Sequence, residues 1–537
     1  MSTEPTHYQQ PISGPAEEQS VSIGDQNRHA ARALSTSDTT QQWWLSLLRK
    51  LFSFPALLGA LLLLPLCLTL PRYPHDPDAW WHTAVGERIL ETGTWSKTED
   101  YSFTAHGEEW LAFEWVGEVL MAVADRLDGL RGLTILRVAL AGLFLILLYA
   151  YASLRTGNHE AAFVVALLLI PLVMGFLWLR PQLLGYIFLA VTLLCLERFR
   201  LGSGKALWIL PGLFLVWVNT HPTFGIGLLV IALYWVSGLV EFRCGGLEAT
   251  PWTPAQRRQL LLILLLSVMV LPLTPYGTRL AGYPLEVALF HPAQYVRISE
   301  WQPLSFGAPW DKQVLVLILL FLLAQVLFRP RYRLDEIVLL LVALYLTCAH
   351  RRFFMFLALV SAPAFTALLA PWMPGYQPTK DRHGLNVALT GLLAAVLVVT
   401  FPSTKELQRI VDMNYPRGAV EYLRTHQIGP MYNDYGFGGY LIWALRGTRP
   451  VFIDGRADVY EYSGVFSDYL RITTVQPDAL RLLRRYNVQS CLTGQDEPLR
   501  PFLANLPDWS LAYQDGLVSL FVRNRNTPST RRSAVVQ

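Results

Sequence analysis

Residues 51–82 read LFSFPALLGALLLLPLCLTLPRYPHDPDAWWH, an apolar run from Leu51 to Leu70 that opens into a polar loop at His75. A helix needs about 20 apolar residues to cross a hydrocarbon core, and this run supplies them. The stretch that follows, His75-Asp76-Pro77-Asp78-Ala79-Trp80-Trp81-His82, crowds carboxylates, histidines and tryptophans where a chain would leave a bilayer. Asp76 is a good helix N-cap, Pro77 fits the first helical position, and Asp78 suits the positive end of the helix dipole. A capped carboxylate is also a well-oriented one. The segment therefore reads either as a helix start or as a reaction centre.

Similar apolar windows recur as far as Phe401, and they decide the class. With 53% hydrophobic and 16% charged residues, the chain reads as a polytopic α-helical membrane protein. The windows are Leu51–Leu70, Gly132–Leu154, Ala161–Leu179, Leu183–Leu196, Ala206–Val218, Phe224–Val240, Leu260–Leu273, Val314–Phe328, Ile337–Cys348, Phe353–Ala370 and Leu385–Phe401. They predict about 11 transmembrane helices, several of them short enough to need flanking aromatics or a thinned bilayer. The net charge of +4 is not gathered into a basic stripe, which excludes a nucleic-acid partner. No pair of the five cysteines has metal or redox spacing, so no disulfides are expected. Residues 1–42 are polar with no apolar centre and read as a disordered tail rather than a cleaved signal.

Lys and Arg set the orientation. With the tail inside, inner loops carry Arg49/Lys50, Arg155, Arg198/Arg200/Lys205, Arg243/Arg257/Arg258, Arg329/Arg331/Arg333 and Lys380/Arg382, while the outer connections are poorer in base. The bias predicts a cytoplasmic amino terminus in a cell (inner) membrane. It places a first loop, 71–131, a late loop, 275–312, and everything after 402 on the outer face. Within the first loop, Trp81/Val85/Ile89 and Trp115/Val119/Val123 recur at helical spacing. Both sets predict amphipathic helices, lying on the membrane surface or packed on the bundle. Residues 403–523 alternate charged amphipathic runs such as Asp478–Arg485 with strand-like Val451-Phe452-Ile453 and Val518–Val522. They predict a small α/β domain outside the membrane, followed by a disordered tail at 524–537.

Four places offer chemistry. The first is Asp76/Asp78. The second is Glu300 in Arg297-Ile298-Ser299-Glu300-Trp301-Gln302-Pro303, which also reads as an ordinary surface residue. The third is His350-Arg351-Arg352-Phe353, where arginines on the outer side run against the charge bias and suit a phosphate at headgroup level, or snorkel from a helix end. The fourth is Asn433-Asp434-Tyr435-Gly436-Phe437-Gly438-Gly439-Tyr440, either a turn before a helix or a weak phosphate signal. Arg180 and His221 stand at similar outer-edge positions, and Asp454-Gly455-Arg456 reads as a turn with an ion pair.

Taken in order, these motifs resemble the GT-C class of polyprenyl-phosphate-dependent glycosyltransferases. The layout is an Asp-Pro in the first outer loop, a late Ser-x-Glu-x-Gln-Pro, an Arg-Phe leading a span with Ala362-Pro363, and an Asp-Tyr-Gly opening an α/β domain. It is most similar to the catalytic subunit of oligosaccharyltransferase. The HDPDAWWH and FIDGRAD segments also resemble a broad set of bacterial GT-C-like membrane proteins. The resemblance implies an inverting glycosyltransferase that moves a sugar from a polyprenyl-phosphate or -pyrophosphate donor to a glycan, lipid or protein acceptor. It implies Asp76 and Glu300 as catalytic residues, and Arg352, with Arg351 and Arg180, as phosphate ligands. Asp434, Tyr435, Gly436 and Trp301 become acceptor-binding residues, and Asp76, Asp78 and Glu300 ligands of Mg2+ or Mn2+. His82, Glu114, His221, Asp454 and Arg456 rank second. Three departures stand out: Tyr432-Asn433 precedes Asp-Tyr-Gly in place of a tryptophan pair, Arg180-Pro181-Gln182 replaces an acidic pair after the third span, and the spans are fewer. A lipid-linked sugar flippase and a non-catalytic assembly protein are the rival readings. Transporters tend to place ionisable groups near the midplane, and the interiors of these windows are almost free of them.

Overall fold

The computed structural model describes residues 43–290, 298–328 and 330–524. The expected tail at 1–42 and, apart from Asn524, the one at 524–537 lie outside the described residues, as do Arg297 and Arg329. Each apolar window named above is largely helical, although Leu51–Leu70 is split between Phe54–Leu61 and Leu63–Thr69, and residues 175–179 and 270–273 lie beyond their helices. Five helices are long and apolar enough to cross a membrane: Phe54–Arg72, Trp115–Leu154, Pro181–Arg200, Arg351–Trp372 and His383–Thr400. Shorter apolar helices run over His159–Met174, Gly204–Val218, Phe224–Ser237 and Lys312–Phe328. The chain is a helical membrane protein.

It falls into two compact units, one reaching to Leu57 together with Gln377–Gly391, the other Leu58–Tyr376 with Leu392 onward. In the first, the Asp381 carboxylate accepts from the Phe54 backbone N–H (3.0 Å) and from the Asn386 amide (2.6 Å). Every candidate residue lies in the second.

Helix α1 (Pro77–Thr92) begins as its sequence dictates. The Asp76 side chain accepts from the Asp78 N–H at 2.9 Å, and Pro77 occupies the first turn. Helix α2 (Trp115–Leu154) is broken at Asp128-Gly129, where Gly129 takes φ 53°, a conformation favouring glycine. The segment before the break belongs to the first polar loop, and the one after it to the bundle. Trp80, Trp81, Val85 and Ile89 of α1 are buried in protein, so the stripe expected to lie on lipid or on the bundle is packed in a core. Helix α3 (Pro181–Arg200) follows Arg180, whose extended backbone (φ −138°, ψ 155°) is what a residue before proline requires.

A small sheet of β1 (Phe242–Cys244), β2 (Leu247–Ala249) and β3 (Tyr332–Arg333) joins two loops. The carboxy-terminal region carries β4 (Met431–Asn433), helix α4 (Tyr435–Ala444), β5 (Ser490–Gly494), β6 (Trp509–Gln514) and β7 (Val518–Arg523), in the sheet order β4-β5-β7-β6. β4 pairs parallel with β5 (Tyr432 opposite Cys491), and the other pairings are antiparallel. The strand-like Val451-Phe452-Ile453 does not join this sheet. Val451 bonds instead to Tyr101 and Phe103 of the first polar loop, and the Asn433 side chain bonds the backbone of Phe452 and Ile453. One hydrophobic core therefore runs from Trp80, Val85, Tyr101 and Trp110 into Tyr432, Tyr440, Phe452 and Tyr460.

Candidate active site

Arg180 is the hub. Its Nε donates to Asp76 Oδ1 at 2.7 Å and its Nη2 to Asp76 Oδ2 at 2.9 Å, a two-pronged pair on a carboxylate only 5% exposed. The same Nη2 lies 2.9 Å from Asp78 Oδ2, and Nη1 lies 3.7 Å from Glu300 Oε1. Asp76 and Asp78, together with Glu300 from far along the chain, thus converge on one guanidinium. The second oxygen of Asp78 accepts from Trp81 Nε1 at 3.1 Å. Burial pushes the Asp78 carboxyl up to about 7; Asp76 and Glu300 add to the shift, while Arg180 and Trp81 oppose it.

Glu300 reaches this place because its loop is pinned. Ser299–Trp301 form one tight turn, and the Arg351 N–H donates to Gln302 O at 3.1 Å. The Arg352 guanidinium stacks on the Trp301 ring at 3.9 Å and makes no ion pair with a carboxylate among the described residues. Arg351 is different: its Nε and Nη2 donate to buried Asp311 at 3.1 and 2.9 Å, so its charge is spent.

A second cluster lies beside the first. His82 Nδ1 stands 3.2 Å from Glu118 and His82 Nε2 3.6 Å from Glu114, while His221 Nε2 is 3.4 Å from Glu114. Burial and the nearby Asp458 carboxylate push Glu114 up to about 8; Arg180 and Arg352 oppose the shift. Burial holds His82 and His221 well below the usual imidazole range, with Arg180 reinforcing the first and Arg352 the second.

Across from Asp78 sits the carboxy-terminal region. Asp434 caps α4, accepting from the Gly436 N–H at 2.8 Å and from the Tyr469 hydroxyl at 3.1 Å. The Tyr435 hydroxyl donates to Gly455 O at 3.1 Å. A Cβ on Gly455 would stand 1.7 Å from Asp78 Oδ1, so only glycine admits that carboxylate. Asp454 and Arg456 form a buried knot instead: Arg456 Nε donates to Asp454 at 2.8 Å and Nη2 to Glu99 at 2.7 Å, with the Tyr101 and Trp110 rings on its faces. This pair joins the first polar loop to the carboxy-terminal region.

Asp76, Asp78, Glu300 and Arg180 therefore come together, with Trp301, Arg352 and the Asp434 segment around them, and His82, Glu114 and His221 form the adjoining cluster. Glu118, Asp311 and Asp458 were not singled out. A glutamate four residues from Glu114 on one helix face was the available signal for Glu118; nothing local marks Asp311.

Two sets of side chains are candidates for a divalent cation. Asp76, Asp78 and Glu300 do not fit one, because the guanidinium stands among their oxygens. Among the described residues, His82, Glu114 and Glu118 gather their ligand atoms within 4.8 Å, and Glu118 Oε2 is buried without a hydrogen bond. An imidazole with two carboxylates suits Zn2+ or Mn2+ better than Mg2+.

No protein-family model matches the chain. No curated protein matches it either. Among solved structures, the chain is similar to the Archaeoglobus fulgidus oligosaccharyltransferase tethered with an acceptor peptide containing the NVT sequon: 12% identity over 81% of this chain and 69% of that one, TM-score 0.47. It is similar to archaeal oligosaccharyltransferase AglB from the same organism in complex with an inhibitory peptide and a dolichol-phosphate (12%, 85% and 70%, TM-score 0.46). It is also similar to ArnT from Cupriavidus metallidurans bound to undecaprenyl phosphate (14%, 87% and 97%, TM-score 0.49). Oligosaccharyltransferase, the enzyme the motif layout most resembles, thus recurs among the solved structures.

Proposed function

We propose that the chain is an inverting glycosyltransferase taking a sugar or oligosaccharide from a polyprenyl-phosphate or -pyrophosphate donor. The acceptor is a glycan, lipid or protein at the extracytoplasmic face of the cell (inner) membrane. In this reading residues 43–402 form the transmembrane domain and 403–523 the outer α/β domain. One observation carries the reading: a carboxyl pushed up to about 7, Asp78, lies against Gly455, whose carbonyl accepts from the Tyr435 hydroxyl. Arg352, stacked on the Trp301 ring next to Glu300, has no carboxylate partner among the described residues.

Asp78 accepts the proton of the acceptor hydroxyl or amide, as a base tuned close to neutral pH should. The acceptor atom bonds to the anomeric carbon from the face opposite the leaving group, and the bond from that carbon to the phosphate oxygen breaks. Arg352 neutralises the charge that develops on the phosphate. Glu300 and Trp301 orient the acceptor together with Tyr435. Asp76, whose oxygens are both engaged by Arg180, holds the arrangement rather than moving a proton. A divalent cation on His82, Glu114 and Glu118 would supply further positive charge, and no step here depends on it.

The test is incubation of the purified full chain with radiolabelled polyprenyl-phosphate sugars. Release of polyprenyl phosphate supports the transferase. Movement of the lipid across liposomes without release would make it a flippase, and neither outcome would make it a scaffold.

A further inference from the structure

The carboxylates best placed by sequence to bind a metal already hold a cation of the protein's own. We propose that the Arg180 guanidinium is the resident cation of Asp76, Asp78 and Glu300, that these three bind no divalent metal, and that Arg180 is thereby a positioning residue joining the first polar loop to the late one.

The geometry favours a guanidinium over an ion at each oxygen. Asp76 receives two parallel N–H donors, the match between a flat fork and a carboxylate. Asp78 gives one oxygen to Nη2 and the other to Trp81. Only Glu300, at 3.7 Å, is loosely held. A hard dication needs about six oxygen ligands close around it, and here the Asp76 and Asp78 oxygens facing the centre are already engaged by N–H groups. The guanidinium also cannot leave. It is tethered to the residue before Pro181 and keeps its proton at any working pH. It links the start of α1, the start of α3 and the Ser299–Trp301 turn in one contact. Without it, three carboxylates would face one another with no counter-charge, a set of oxygens that a hard ion would then fill.

Binding of Mn2+ alone to the full chain in detergent, read as loss of the free-ion paramagnetic resonance signal, tests this. The transferase reading is not needed, since no donor or acceptor is present. Mn2+ bound by the wild type, at His82, Glu114 and Glu118 if anywhere, should change less than about twofold in Glu300→Gln. Arg180→Gln should gain about one further equivalent, and Asp76→Asn in that background should abolish the gain. The proposal is overturned if Glu300→Gln weakens wild-type binding about tenfold, or if Arg180→Gln melts cooperatively yet gains no Mn2+. Should Arg180→Gln not fold, the Glu300→Gln comparison decides alone.

Discussion

Asp78 and Asp76 are two residues apart and do different work because of where their oxygens point. Both oxygens of Asp76 are spent on Arg180 and on the helix cap, whereas Asp78 gives one oxygen to Arg180 and the other to Trp81, and burial pushes its carboxyl up to about 7. Asp78→Asn keeps the shape and removes the base, so transfer should fall by about 10²–10⁴-fold while the melting temperature holds, measured as polyprenyl phosphate released per minute. Transfer by the wild type should rise with pH through about 7 and then level. Arg352 invites the companion test. Its replacement by Ala should weaken donor binding, seen as a higher KM for the polyprenyl-phosphate sugar. Lys should restore part of it, since the charge returns but the planar stack on Trp301 does not. Arg180 was read from sequence as a phosphate ligand at a loop edge. Its partners lie 104 and 120 positions away by number, at Asp76 and Glu300, and no local pattern announces them.

At the scale of elements, the start of α1 was legible and its surroundings were not. Asp76, Pro77 and Asp78 announce a capped helix because capping is a local matter of one side chain and the next few amides. The same cap joins an ion pair with Arg180, so Asp76→Ala removes two things at once and should cost about 1–3 kcal/mol, since Asp78 and Glu300 still face the guanidinium. Thermal unfolding in detergent measures it. Gly455 shows the opposite case. It looks like an ordinary turn residue, yet its missing side chain is what lets Asp78 lie against the carboxy-terminal region. Gly455→Ala should destabilise by about 1–3 kcal/mol through overpacking and shift Asp78, lowering transfer as well as the melting temperature. Val451-Phe452-Ile453 reads as a strand because strand propensity sees only apolar, β-branched residues. Which backbone it bonds was decided by Tyr101 and Phe103, far away in sequence.

At the scale of the molecule, buried acids set the pH response. Glu114, pushed up to about 8 in the fold, binds its proton more tightly folded than unfolded. Its contribution to stability is full below the unfolded value, about 4.3, and is lost as pH rises through about 8. Asp78 acts in the same direction through about 7. His82 and His221, held low, act the other way and lose stability below their usual value of about 6.5. Between about 6.5 and 8 the melting temperature should therefore fall with rising pH, and Glu114→Gln should flatten that fall. Residues 403–524 expressed alone should lack dispersed side-chain resonances, because Tyr432, Tyr440 and Phe452 share their core with Trp80 and Trp110. The membrane-spanning character, the positions of the apolar helices, the Asp76 cap and the candidate side chains all follow from the chain's composition and short-range order, since hydropathy and capping act over one helix. The convergence of Asp76, Asp78 and Glu300 on Arg180, the pairing of His82 and His221 with Glu114, and the merging of the first loop with the carboxy-terminal sheet belong to the tertiary structure. The reason is physical: the burial and charge of each group are set by neighbours on other elements, from about thirty to more than a hundred residues away in the chain.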